Sequence, residues 1–149
     1  MDAKVTWNHD MSFTGVGAGS EILVPIGSRP APDQPAEGTS PMEMVLMAMA
    51  GCTAMDVISI LKKKRQDVTG FEVRVHGDRA EQHPRVYTHI TLEYVVTGRH
   101  VEEAAVQRSI QLSLEKYCSV HAMLSKAVPI EHSYRVIEEE PAAAHSAGS

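Results

Sequence analysis

Basic charge is what this sequence has too little of. Fourteen lysines and arginines stand against nineteen aspartates and glutamates, a formal net charge of −5. A nucleic acid or an anionic membrane wants a basic surface, so the balance argues against both as partners. Cysteine is scarce as well. Two cysteines far apart in 149 residues are not the framework of a small secreted scaffold. In a reducing cytosol they are free thiols, a catalytic pair or metal ligands. The opening stretch MDAKVTWNHDMSF lacks a basic region followed by an apolar core, so the expectation is a cytoplasmic protein with no secretory signal. The uncharged stretch from Met44 to Met55 is bracketed by Glu43 and Asp56 and falls short of the roughly twenty residues of a bilayer crossing. Extending it to Leu61 would place Asp56 in lipid, at high cost. Also missing are an internal repeat, a nucleophile elbow and the GxGxxG spacing, so the glycines of GVGAGS (15–20) read as a flexible turn.

What is present is ordinary for a globular chain, 43% apolar and 22% charged, and it reads as one domain over 1–140 with a disordered tail, PAAAHSAGS, over 141–149. Short strands fit KVTWN, MSFTGVG and SEILVPIG, with a polar turn between the first two. The Pro- and Gly-rich GSRPAPDQPAEG (27–38) is a tethered loop. A long helix follows over about 41–65. Ser40 can cap it, Pro41 suits its first position, and Glu43 completes a capping box. The basic cluster Lys62 to Arg65 suits the negative end of its dipole. Alternating runs over 70–80 and 86–98 predict a hairpin, and a second helix occupies 101–118. SVHAMLSKA continues helically after a kink, and a last strand covers 130–139. Strands, helix, hairpin, helices and strand make an α+β domain.

Two segments bear chemistry. Cys52 shares a helix face with Ala48, Met49, Met55, Asp56 and Ser59. Free cysteine is most often a small apolar filler, but Asp56 one turn on is an odd companion for filler. Its charge would raise a nearby thiol pKa, or it serves as a hydrogen-bonding residue at the core edge. Cys118 and His121, in EKYCSVHAML, are helical neighbours. His121 either favours a thiolate at Cys118 or fills an interface between elements. No second cysteine–histidine pair stands near, so a zinc site is not expected, nor any other metal or cofactor.

A proline-started helix carrying a cysteine in TSPMEMVLMAMAGC, a strand hairpin, and a second helix reaching a cysteine in EKYCSVHAML resemble the OsmC/Ohr family, nearest its YhfA-like branch. The resemblance runs from about Lys4 to Glu139. It implies an OsmC-like fold, with antiparallel sheets packed around a long central helix in an intertwined homodimer whose active sites lie at the interface. It also implies a thiol-dependent peroxidase of oxidative-stress defence that reduces organic hydroperoxides. In that scheme Cys52 attacks the peroxide and Cys118 resolves the sulfenic acid as a disulfide. The partners are then a small hydrophobic peroxide or other electrophile and an external thiol reductant.

The family activates its thiolate with an arginine in the first hairpin and a glutamate directly after the helix-starting proline. Here the hairpin reads WNHDMSF, Met42 follows Pro41, and Glu43 comes one residue late. Nine positions at about 100° each put Glu43 half a turn from Cys52, which makes it a structural residue. An ordinary thiol of pKa about 8.5 is mostly protonated near neutral pH, so another cation is needed, and Arg29 is the first candidate. The alternative is a non-catalytic dimer that binds a hydrophobic ligand at its interface among Met42, Met44, Met47, Met49, Met55 and Met123.

Overall fold

In the computed structural model, residues 1–140 are described; the tail expected over 141–149 lies outside them. The chain divides into two compact units, Met1–Val45 and the part from Leu46 onward. The first unit holds β1 (Ala3–His9), β2 (Ser12–Gly17) and β3 (Leu23–Gly27), an antiparallel sheet in that order. The turn from β1 to β2 puts Asp10 at φ 41°, a left-handed conformation that aspartate tolerates, and the Asp10 carbonyl accepts from the Trp7 indole at 3.0 Å. The glycine run of 15–20 is divided: Gly15 and Gly17 lie in β2 and only the residues after them turn. The proline-rich loop is tied back to β3. Thr39 donates to the Pro25 carbonyl and Gly27 to that of Thr39, both at 3.1 Å. Gly38 is required there, because any Cβ would sit 2.7 Å from the Pro25 carbonyl oxygen.

Helix α1 runs Pro41–Lys63. Its capping box is complete: Glu43 N–H donates to Ser40 Oγ at 3.2 Å, and Ser40 N–H donates to Glu43 Oε2 at 2.9 Å. Lys62 and Lys63 occupy its last turn. Gln66 N–H then reaches the Leu61 carbonyl and Arg65 N–H that of Lys62, with Arg65 left-handed at φ 55°, which closes the helix as a Schellman motif.

In the second unit β4 (Asp67–Arg79) and β5 (Tyr87–Arg99) form the expected antiparallel hairpin. Phe71, Val73 and Val75 face inward, while Glu72, Arg74 and His76 are exposed. After α2 (Glu103–Leu112) the expected helix to residue 118 is interrupted. Ser113–Tyr117 is a π-helical turn, and Cys118 is extended at φ −73°, ψ 104° before α3 (Ser119–Leu124). The last strand, β6 (Ile130–Glu138), pairs with β5 in parallel, which corrects the expectation of wholly antiparallel sheets. The reason is the connection: α2, the π-turn and α3 carry the chain back along the sheet, and a crossover of that length delivers a strand in the same direction.

The core of this unit sets Met49, Val57 and Leu61 of α1 against Leu92, Tyr94 and Val96 of β5 and Val106 and Ile110 of α2. Met49, Thr53, Val57 and Leu61 recur every fourth residue, so α1 buries one narrow stripe. The helix is long and apolar enough to cross a membrane by length and composition, and only 28% of its most apolar window is buried within the chain.

Candidate active site

One turn of α1 presents Cys52, Thr53 and Asp56 together, because residues three and four apart are neighbours on a helix. The π-turn brings the second thiol to meet them. Its widened ring is closed by Cys118 N–H donating to the Ser113 carbonyl at 2.8 Å, five residues back. Cys118 leaves the helical path there, and its Sγ accepts the His121 backbone N–H at 3.4 Å as the first turn of α3 begins. Cys118 is buried, 2% exposed, while Cys52 is half-buried; both are free thiols, and Cys52 is near enough to act on Cys118.

That surrounding keeps Cys118 protonated. Its pKa is pushed up to about 11, first by burial, then by the neighbouring Cys52 and the negative charge of Asp56; the His121 amide opposes the rise.

Beside the thiols runs a line of hydroxyls that sequence reading did not find. Tyr94 Oη lies 2.8 Å from Thr53 Oγ1, and Thr53 Oγ1 lies 2.8 Å from Ser113 Oγ. Ser113 donates to Asp56 Oδ2 at 2.9 Å. Tyr94, Thr53 and Ser113 are fully buried, and each has found a partner, as buried hydroxyls must. Burial pushes the Tyr94 phenol up to about 12, with the Cys118 and Asp56 charges adding to it and the Thr53 bond opposing. Thr53, beside Cys52 and three before Asp56, was visible as a position on the helix. Nothing local joins it to Tyr94 and Ser113, which lie 41 and 60 residues away.

Among the other residues singled out, His121 meets the sulfur through its backbone amide, and the residue also lines a cavity of about 500 Å³ with Glu115, His132 and Tyr134. Glu43 is engaged in the capping box, which lowers its carboxyl pKa. Arg29 belongs to the first unit, where it donates to the Pro32 carbonyl at 3.4 Å and lines a cavity shared with Asp10 and Glu37. Met49 is core, fully buried, whereas Met47, Met55 and Met123 are exposed. Among the described residues no three histidine, cysteine or carboxylate side chains gather as a metal set.

The model of the OsmC-like protein family matches residues 33–133. Protein YhfA of Escherichia coli K12 is 50% identical over 138 residues, 92% of this chain and 98% of that one. The crystal structure of a hypothetical protein from Aquifex aeolicus VF5, 32% identical, superposes with a TM-score of 0.82 over 93% of this chain and 97% of that one. The organic hydroperoxide resistance protein OhrB of Bacillus subtilis is 16% identical, with a TM-score of 0.58 over 91% and 98% of the two chains. At that identity the likeness is one of fold.

Proposed function

Because this chain belongs to the OsmC-like protein family, we propose that it is a thiol-dependent peroxidase that reduces organic hydroperoxides. One observation carries the reading: two free thiols from distant parts of the chain stand near enough for one to act on the other, one half-buried and one buried. Hydroperoxide resistance in a protein of the same fold is consistent with it.

The division of labour follows from access. Cys52 can meet solvent and therefore substrate; its thiolate attacks the terminal oxygen of the hydroperoxide. The S–O bond forms as the O–O bond breaks, the alkoxide takes a proton and leaves as the alcohol, and Cys52 becomes a sulfenic acid. Cys118, its neighbour, then displaces hydroxide from that sulfur. A disulfide and water result, and an external dithiol restores the pair. Burial of Cys118 suits a resolving thiol, since peroxide does not reach it first.

The working unit in this proposal is an intertwined homodimer. A helix this apolar with so narrow a buried stripe needs further cover, and Met47 and Met55 on α1 are 52% and 74% exposed.

The test is mass spectrometry after a stoichiometric dose of tert-butyl hydroperoxide. The wild type is expected to lose two hydrogens as the disulfide forms, and Cys118→Ser to gain one oxygen. If both thiols stay reduced, the peroxidase reading fails and a ligand-binding role takes its place.

A further inference from the structure

Two buried serines, Ser109 and Ser113, use their hydroxyls differently. Ser109 Oγ donates to the Ala105 carbonyl at 2.7 Å, one turn back, and so serves its own helix. Ser113, where the π-turn begins, reaches outside it. Its single hydroxyl proton goes to Asp56 Oδ2 at 2.9 Å, so its oxygen accepts from Thr53 Oγ1 at 2.8 Å. Both partners belong to α1, Thr53 directly after Cys52 and Asp56 one turn on. The main chain of the same serine holds the residue of the other thiol: its carbonyl accepts the Cys118 N–H at 2.8 Å. Five residues of regular α-helix would carry the chain about 500° and leave position 118 about 140° round from Ser113. The widened turn takes up part of that excess and swings position 118 back toward the face that Ser113 presents to α1. Cys118 is accordingly part of the buried core of this unit, and Cys52 packs against that core.

We propose that Ser113 is a positioning residue that sets Cys118 against Cys52. Its hydroxyl is held by the helix that carries the first thiol, and its carbonyl holds the amide of the second. The proposal deepens the peroxidase reading and rests on it for the step it serves. Cys118 attacks the Cys52 sulfenic acid, the S–S bond forms as the S–O bond breaks, and the departing hydroxide takes the Cys118 proton as water. Thiol and sulfenic acid become disulfide and water, with no other reactant. Held in place, Cys118 meets that sulfur before a second peroxide does, and Cys52 climbs no further up the oxidation ladder.

Positioning is read apart from folding in the equilibrium with glutathione. There two protein thiols and one glutathione disulfide become a protein disulfide and two glutathione thiols, and the constant measures how well one thiol is presented to the other. Ser113→Ala cuts the tie to α1 and is expected to lower that constant at least about tenfold. Treated with tert-butyl hydroperoxide, it should accumulate a dimedone-trappable sulfenic acid that the wild type does not. Ser109→Ala loses a buried hydroxyl bond within its own helix; it is expected to melt lower and to keep the wild-type constant. Asp56→Ala frees the Ser113 hydroxyl from the half-buried end and should lower the constant as Ser113→Ala does. Asp56→Asn keeps an accepting oxygen and should hold the wild-type constant.

A wild-type constant in folded Ser113→Ala overturns the positioning role; should that variant not fold, a wild-type constant in Asp56→Ala overturns it instead. A fall of the same size in Ser109→Ala also overturns it, since any lost buried bond would then suffice. An equal fall in Asp56→Asn and Asp56→Ala does so too, by assigning the effect to charge. If the wild type ignores the hydroperoxide yet forms the disulfide with glutathione in a way that depends on Ser113, the peroxidase reading falls and the positioning role stands. A wild type that forms no disulfide with either oxidant overturns both.

Discussion

Cys118 and Cys52 differ by surroundings, and the difference can be read in a titration. A thiol raised from 9.0 to about 11 binds its proton more tightly in the folded state. It therefore contributes stability that is fully present below the unfolded value of 9.0 and is lost as pH climbs toward about 11. Denaturant melts at stepped pH should show the wild type losing more stability than Cys118→Ala across that window; parallel curves would contradict the assignment. Near neutral pH iodoacetamide should modify Cys52 and leave Cys118 largely intact, as peptide mapping would show. At this scale the sequence made the two cysteines and Asp56 legible, because reactive residue types and helical spacing can be read directly. The hydroxyls of Thr53, Ser113 and Tyr94 were not legible: serine, threonine and tyrosine are common, and only the folded chain brings these three together.

Among the elements, α1 has its ends written locally, and its capping can be tested locally. Ser40→Ala removes the side-chain acceptor of the box and should destabilise by about 1 kcal/mol. Glu43→Gln should lower the melting temperature near neutral pH. Since the Ser40 backbone and side chain hold the Glu43 carboxyl below its ordinary value of 4.5, that contribution is present above 4.5 and disappears as pH falls through the lower folded value. The melting gap between variant and wild type should close in acid. Alkylation of Cys52 should be unaffected, and a marked drop with unchanged stability would return Glu43 to a catalytic role. Leu61→Ala, at a fully buried position of the same helix, should cost about 2–5 kcal/mol. Strongly periodic elements were read to within a few residues: α1 was expected over 41–65 and ends at Lys63. The parallel pairing of β6 and the π-turn were not. Strand direction depends on where a crossover returns the chain, and Ser113–Tyr117 has no composition that sets it apart from helix.

For the whole molecule, assembly comes first. Sedimentation at micromolar concentration should report a dimer, and Met55→Lys, at a position 74% exposed within one chain, should shift it toward monomer. A wild-type monomer would remove the proposed interface. A second consequence arises from where the thiols stand along the chain. Cys52 is on α1 and Cys118 beyond the π-turn, so β4, β5 and α2 all lie between them in sequence. A bond joining the two makes that stretch a closed ring and strips freedom from the unfolded chain, by about 4 kcal/mol for a loop of this size. Oxidised protein should thus melt well above reduced protein, and equal melting would mean that the bond strains the fold. Each turnover would tighten and then release most of the second unit, so that its resistance to heat and proteases keeps a running memory of the oxidant it has met.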